Sequence, residues 1–186
     1  MKNRIKPLSL PLEKSTQQVM DKIFPSNLPS PNLYRIVAKH KDLFSKLVET
    51  NFIGPTGVFD QKRLHPSLRE KIILKTCITA ENSYEFALHV ETISLKMGLT
   101  KEQIKDITQA NCNPELWDAK DLVLFKIIDQ LILTRKVEDQ IAKEMLNHFS
   151  EQEAIEIIHI IGFYTGVAML VAFTQPEFDN YKQYLK

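Results

Sequence analysis

A glutamate and a histidine stand four residues apart, at Glu85 and His89. On an α-helix, residues at this spacing lie on the same face, one turn apart. A carboxylate beside an imidazole raises the histidine pKa and fixes the orientation of the ring, as proton-transfer catalysis requires. The same spacing also suits an ordinary surface ion pair, worth about 0.2–0.5 kcal/mol. Spacing alone leaves both interpretations open.

A second carboxylate, Glu70, precedes the histidine on an earlier predicted helix. It could belong to the same acid–base group as Glu85 and His89. Ser67-Leu-Arg-Glu70 also has the spacing of a capping box, in which Glu70 would only close the start of its helix. Its neighbour Arg69 is a candidate partner for a substrate carboxylate, although an exposed arginine is the commoner case.

These residues are positioned by the stretch from Leu68 to His89, which predicts a helix, a polar break at Ala80–Ser83 and a second helix. The first helix has a wide apolar face, typical of a buried element. The second is expected to end near Met97-Gly98, where glycine can adopt the left-handed conformation that closes many helices.

The rest of the chain is also predicted to be helical, and no stretch alternates with period two. Gly54-Pro55-Thr56-Gly57 reads as a loop, and the tail after Gln175-Pro176 as a short helix or a loose end. We therefore expect one all-α domain of about seven or eight helices over residues 1–186, with an N-terminal arm and short helix over 1–31 and a core region over 66–173. The further helices are predicted at about 12–24, 32–50, 100–109, 118–133, 137–149 and 151–173.

Composition excludes several classes of protein. The 186 residues are 44% hydrophobic, and 24 basic against 23 acidic side chains leave no field to attract nucleic acid or anionic lipid. Two cysteines, Cys77 and Cys112, are too few for a disulfide framework, a zinc site or a CxxC motif. We expect a cytoplasmic protein without metal or cofactor, binding neither nucleic acid nor membrane.

The apolar segment Ile155–Phe173 falls short of an uninterrupted membrane span, so we interpret it as a helix buried in a core or a subunit interface. Gly162 and Gly166 give it a small-xxx-small face, suited to close helix contact. Glu156 and His159 resemble half of a helical di-iron site, but no second pair exists to complete one. We expect a homo-oligomer, whether dimer, trimer or hexamer.

Several motifs occur in an order that resembles the carboxymuconolactone decarboxylase superfamily, which includes the alkyl hydroperoxidase D proteins. The likeness extends over about residues 33–173 and implies an alkyl hydroperoxidase D-like fold. The motifs are Leu68-Arg69-Glu70, Tyr84-Glu85-Phe86 with His89, Gly98-Leu99-Thr100 and Gly162-Phe163-Tyr164.

The resemblance implies a role for each candidate residue. Peroxidase members carry a CxxC pair seven and four residues before the histidine, where this chain has Asn82 and Glu85, so the redox thiols are absent. A glutamate four residues before the histidine is typical of members that resemble the true decarboxylase. The resemblance makes Glu70, Glu85 and His89 candidate catalytic residues, and Asn82, Tyr84 and Tyr164 candidate substrate-binding residues.

Three functions remain open at this point. The first is acid–base chemistry on a small carboxylated or lactone-type metabolite. The second is an alkyl hydroperoxidase D-like antioxidant activity, which the missing thiol pair disfavours. The third is a non-catalytic oligomeric binding module of the same fold. Cys77 fits a small core residue better than a reactive thiol.

Overall fold

The computed structural model describes residues 3–54, 57 and 63–181. Pro55 and Thr56 of the predicted loop, and the end of the predicted tail after Tyr181, lie outside these residues. Throughout the described ranges the regular secondary structure is helical, with nine α-helices and one short 3₁₀ helix. The predicted all-α class is confirmed.

The helices follow one another along the chain with short connections. The 3₁₀ helix Pro114–Leu116 lies between the sixth and seventh α-helices. The α-helices are α1 Lys14–Met20, α2 Asn32–Val37, α3 Lys41–Glu49, α4 Pro66–Thr79, α5 Ser83–Thr92, α6 Lys101–Asp106, α7 Ala119–Thr134, α8 Asp139–His148 and α9 Glu151–Thr174.

The chain divides into two compact units, one within Met1–Gln61 with Leu170–Lys186 and one within Lys62–Met169. All the candidate catalytic residues belong to the second unit. The expectation of one domain over the whole chain stays a prediction.

The first unit has its own core, built around Met20, Phe44 and Val48. The prediction of a single helix over 32–50 in this unit was wrong. The first helix, α2, ends at Val37, and a separate helix, α3, begins at Lys41. The break occurs where His40 caps α3, its Nδ1 accepting a hydrogen bond from the Leu43 amide at 3.3 Å. A side chain that satisfies a helix N-terminus favours a new start over continuation.

In the second unit α4 packs against both α5 and α7. Its residues Ile72, Ile73 and Leu74 have no exposed surface, and neither do Leu124 and Ile128 of α7. Burial of this many consecutive side chains requires contact on more than one side of the helix. The central helix is therefore held in a fixed orientation, with different side chains directed at each neighbour.

Two ion pairs join α4 to α7. Lys71 Nζ lies 2.6 Å from Asp121 Oδ2, and Lys75 Nζ lies 2.9 Å from Asp129 Oδ2. The two lysines are one turn apart and so face α7 together. Asp121 is only 1% exposed, so its charge depends on the ammonium group for compensation.

The predicted end of the second central helix was wrong. α5 ends at Thr92 and not near Met97, and a turn follows, within which Ser94 N donates to the carbonyl of His89 at 2.9 Å. The β-branched pair Thr92-Ile93 stands at this end, and such residues are weaker helix formers than unbranched ones. Gly98 does adopt a positive φ of 94°, but it closes the turn and not the helix.

The long helix α9 is less buried than the sequence suggested. Its most apolar window has a mean hydropathy of 1.9, yet only 33% of that window is buried inside the structure. Its start is a capping box, since Ser150 Oγ accepts from Glu153 N and the Glu153 carboxylate accepts from Ser150 N. One face of α9 is thus open to solvent in a single copy of the chain.

We expect Lys71→Met to lower the free energy of unfolding by about 3–5 kcal/mol, because it leaves the buried Asp121 carboxylate with the Asp118 amide but without a compensating cation. Chemical denaturation measures this change. Lys126→Met, at an exposed position of α7, is the control and should stay within about 0.5 kcal/mol. Adding Asp121→Asn to Lys71→Met should restore much of the loss. Equal effects of Lys71→Met and Lys126→Met would contradict a stabilising pair.

Candidate active site

Glu70 of α4 and His89 of α5 are in direct contact inside the second unit. Both carboxylate oxygens of Glu70 lie 3.0 Å from His89 Nδ1, so this nitrogen donates to the carboxylate. Glu70 is 2% exposed and His89 4%. The contact fixes the imidazole ring and leaves Nε2 as the atom that can exchange a proton with a ligand.

The capping-box interpretation of Glu70 is wrong. His65 caps α4, and its Nδ1 accepts from Ser67 N at 3.3 Å. Ser94 Oγ donates instead to Glu70 Oε1 at 2.6 Å. The sequence did not predict this contact, because a helix continuing to Met97 would have directed the Ser94 side chain away from Glu70. The turn after Thr92 instead brings the Ser94 hydroxyl to the Glu70 carboxylate.

Glu85 lies on the other side of the imidazole. Its Oε1 is 3.7 Å from His89 Nε2, which is an ion-pair distance and longer than a hydrogen bond. Glu85 is also buried, with 7% of its surface exposed. The i,i+4 spacing predicted an orienting role for Glu85, but in the structure Glu70 makes the orienting contact and Glu85 faces the reactive nitrogen.

The two carboxylates decide the charge of the imidazole. Burial works against a charged ring, but the contacts to Glu70 and Glu85 outweigh it and raise the pKa of His89 to about 9. Burial also acts to raise the pKa of Glu70, yet the bonds from His89 and Ser94, with Arg69 nearby, hold that pKa below its usual value. At neutral pH the site therefore holds an imidazolium bonded to an ionised Glu70.

The three predicted substrate-binding residues are all buried. Asn82 caps α5, with its Oδ1 accepting from Glu85 N at 3.2 Å. Tyr84 is 3% exposed at the first turn of that helix. Tyr164 of α9 makes an edge-to-face contact with His89, with 5.7 Å between ring centroids.

Two buried donors of this region lack an acceptor among the residues that the structure describes. They are Nε of Arg69 and Nδ2 of Asn82. A buried donor without an acceptor costs about 1–3 kcal/mol, so such groups favour a bound partner such as water or a ligand.

Cys77 is a small buried residue close to the two carboxylates. It is 1% exposed, and its carbonyl accepts a hydrogen bond from Asn82 N at 2.7 Å. Burial, followed by the charges of Glu85 and Glu70, raises the thiol pKa well above its usual value. Cys77 and Cys112 are both free thiols. A thiol that stays protonated is a poor nucleophile.

Within the described ranges no group of three or more His, Cys, Asp or Glu side chains is arranged to hold a metal ion. The two residues that resembled half of a di-iron site have other contacts. Glu156 lies 3.6 Å from Arg63, and Nδ1 of His159 lies 2.8 Å from the carbonyl oxygen of Ile155. His159 is exposed.

The all-helical architecture is the alkyl hydroperoxidase D-like fold. The debrominase Bmp8 in its apo form has this fold and superposes with a TM-score of 0.76 at 15% sequence identity, over 97% of this chain and 95% of that one. A cysteine-to-alanine variant of the debrominase, in complex with 2,3,4-tribromopyrrole, gives 0.73 at 15% identity over 97% and 94%.

An uncharacterized peroxidase-related protein from Silicibacter sp. TM1040 is also similar, with a TM-score of 0.72 at 13% identity over 98% of this chain and 96% of that one. No family model matches the sequence, and no curated protein does either. At these identities the likeness shows the fold alone.

We expect the charged site to make stability depend on pH. Because the pKa of His89 is raised to about 9 in the folded chain from about 6.5 when unfolded, its contribution is complete below about pH 6.5. It amounts to about 3 kcal/mol and is lost as the pH rises toward 9. The lowered pKa of Glu70 acts oppositely: its contribution is present above about pH 4.3 and is lost as the pH falls.

Denaturation measured between pH 6 and 9.5 tests this dependence. His89→Gln should be less stable at pH 6 and should lose most of the dependence across this window. The same slope in the variant and the parent chain would show that another group titrates.

Proposed function

We propose that this chain is an enzyme that transfers a proton to or from a small carboxylated or lactone-type metabolite. His89 is the proton-transferring residue, Glu70 orients its ring, and Glu85 balances charge at the reactive nitrogen. One observation carries the proposal: a buried imidazole is bonded through Nδ1 to one carboxylate while its Nε2 faces a second one without a hydrogen bond. Buried ionisable groups with a shifted pKa are typical of catalytic sites.

The charge state of the site favours His89 as a general acid. With a pKa of about 9, its ring carries a proton at Nε2 at neutral pH. In a decarboxylation the bond to the carboxylate carbon breaks and CO₂ leaves, so its electron pair remains on the adjacent carbon. That carbon takes the proton from Nε2, and solvent then reprotonates the ring.

Arg69 supports a substrate that carries a carboxylate. It follows Leu68 on α4, directly before Glu70, and its Nε is buried without an acceptor among the described residues. A guanidinium group binds a carboxylate through two parallel hydrogen bonds. The same reasoning gives Asn82 a supporting role, since its Oδ1 is used by the helix cap while its buried Nδ2 can donate to a ligand.

One observation favours a binding module without chemistry. His89 is only 4% exposed, so a ligand can reach Nε2 only when the side chains around it move. Against this alternative, keeping an imidazolium and two carboxylates in a core is less stabilising than packing it with apolar side chains.

Exchange of substrate hydrogen with solvent tests the proposal, and the test does not require the reaction product to be known. We expect the chain to replace the acidic C–H of a bound substrate with deuterium in D₂O at a pH of about 9, where part of the His89 rings have lost the Nε2 proton and can accept one from carbon. Proton NMR follows the exchange. The probes are a panel of 3-oxo acids and unsaturated carboxylated γ-lactones. His89→Gln should slow exchange by about 10²–10⁴-fold. Glu85→Gln should shift the pH dependence, whereas Glu91→Gln, at an exposed position of the same helix, should change nothing. Equal exchange in the parent chain and His89→Gln would refute the proposal.

Arg69→Gln tests the carboxylate contact. We expect KM for an accepted carboxylated probe to rise by roughly tenfold or more, with a smaller change in kcat, because a charge-assisted bond is worth about 1.5–3 kcal/mol. The methyl ester of the same probe is the matched control and should be unaffected. A similar loss for acid and ester would mean that Arg69 supports the fold and not recognition.

We expect no peroxide reduction through a disulfide. Turnover by two thiols begins with a thiolate that peroxide can reach, whereas Cys77 is 1% exposed and burial holds the pKa of its thiol well above the usual value. A coupled assay with hydrogen peroxide and dithiothreitol measures this. Robust activity that disappears in Cys77→Ser would contradict the expectation and favour the antioxidant alternative.

A further inference from the structure

Ser94 is bonded to both members of the pair formed by Glu70 and His89. Its hydroxyl donates to Glu70 Oε1 at 2.6 Å, and its backbone amide donates to the carbonyl oxygen of His89 at 2.9 Å. The residue has no exposed surface. Among the residues that the structure describes, the Glu70 carboxylate has two donors, which are this hydroxyl and the ring nitrogen of His89.

The path of the chain after α5 brings the hydroxyl to this place. Two successive amides, those of Ile93 and Ser94, donate to the same carbonyl oxygen of His89, at 2.8 and 2.9 Å. The bond from Ser94 spans five residues instead of the four of an α-helix, so the turn is widened in the manner of a π-helix. The amide of Leu99 then donates to the Ser94 carbonyl at 3.2 Å, again across five residues. The backbone of Ser94 is therefore fixed on both sides.

The second donor determines how the Glu70 carboxylate is oriented. Rotation about the last side-chain bond of a glutamate has broad energy minima, and both Glu70 oxygens lie 3.0 Å from His89 Nδ1. The imidazole therefore favours neither oxygen. The bond from Ser94 to Oε1 selects one of them and fixes the plane of the carboxylate. Because a hydrogen bond to a carboxylate is directional, this plane also sets the direction of the Nδ1–H bond and of the ring.

We propose that Ser94 is a positioning residue, whose hydroxyl fixes the rotation of the Glu70 carboxylate and thereby directs Nε2 of His89. The consequence for proton transfer rests on the proposed function, whereas the orientation of the pair does not. Without the hydroxyl the carboxylate turns about its last bond and the ring turns with it, so Nε2 is less often aligned with the reacting carbon. Loss of alignment lowers the rate of the chemical step more than it weakens substrate binding.

NMR of Ser94→Ala tests the positioning itself, without a substrate. The Nδ1–H proton of His89 should exchange with water roughly tenfold faster, because the carboxylate that binds it is no longer fixed. The pKa of the Glu70 carboxyl, followed by carbon-13, should rise, since the bond from Ser94 is one of the interactions that lower it. Those with His89 and Arg69 remain in the variant.

Ser30→Ala is the matched control. Ser30 is a buried serine of the first unit, 5% exposed, and its hydroxyl has no hydrogen-bond partner among the described residues. This variant also removes a buried hydroxyl, but it should change neither the Nδ1–H exchange of His89 nor the pKa of Glu70. Far-ultraviolet circular dichroism shows whether each variant is folded. If Ser94→Ala does not fold, Ser94→Cys serves for the same measurements, because a thiol of similar size is a weaker donor.

Kinetics of deuterium exchange test the consequence for the reaction. With an accepted probe, Ser94→Ala should lower kcat by roughly 10–100-fold with a smaller change in KM, and Ser94→Cys should recover part of the rate. An unchanged kcat in Ser94→Ala, or an equal loss in Ser30→Ala, would overturn the inference. If the parent chain exchanges no probe, the proposed function fails and the NMR measurements alone decide. Faster Nδ1–H exchange with a raised pKa of Glu70 then supports the positioning role, and no change in either overturns it.

Discussion

The contact between Glu70 and His89 is the interaction on which the rest of the second unit depends. A carboxylate and an imidazolium that are both almost fully buried must compensate each other, since neither charge is stable alone in a core. Their nitrogen and oxygen atoms are 3.0 Å apart and come from two different helices. α4 and α5 can therefore adopt only a narrow range of relative positions.

Other features of the unit maintain that position. On one side of α4, Lys71 is paired with the buried Asp121 of α7, which sets the rotation of α4 and so the direction of Glu70. At the start of α5, the Asn82 side chain caps the helix and fixes the turn that leads to His89. Beyond the end of α5, the Ser94 hydroxyl completes the hydrogen bonds of Glu70. The site is thus built from helix termini and interhelical ion pairs that are also stabilising elements.

Much of the fold follows from local sequence patterns. The helices of the second unit occur where apolar residues recur at helical spacing, and the capping boxes at Thr100 and Ser150 form as their spacing predicts. Two helix boundaries were predicted wrongly, and each depends on one or two side chains. His40 divides α2 from α3 by capping, and α5 stops at Thr92 where periodicity continues. The first boundary depends on a side-chain hydrogen bond and the second on the low helix propensity of Thr92 and Ile93, and the spacing of apolar residues shows neither.

The sequence predicted which residues form the candidate site, but it did not predict the role of each one. Spacing and resemblance selected Glu70, Glu85 and His89, and the structure brings them together. The sequence could not show which carboxylate orients the imidazole ring. The i,i+4 spacing suggested a contact between Glu85 and His89, but in the structure Glu85 Oε1 lies 3.7 Å from His89 Nε2. The hydrogen bond from Ser94 to Glu70 could not be predicted from the sequence, since the position of Ser94 depends on where α5 ends.

The central claim is that His89 is a buried imidazolium held by Glu70 at neutral pH. Nitrogen-15 NMR of the histidine rings measures it directly, because chemical shifts distinguish the imidazolium from either neutral tautomer. One of the five histidines should remain protonated up to a pH of about 9, and Glu70→Gln should lower the pKa of that histidine alone. A His89 ring that is neutral at pH 7, or one that titrates identically in Glu70→Gln, would contradict the account.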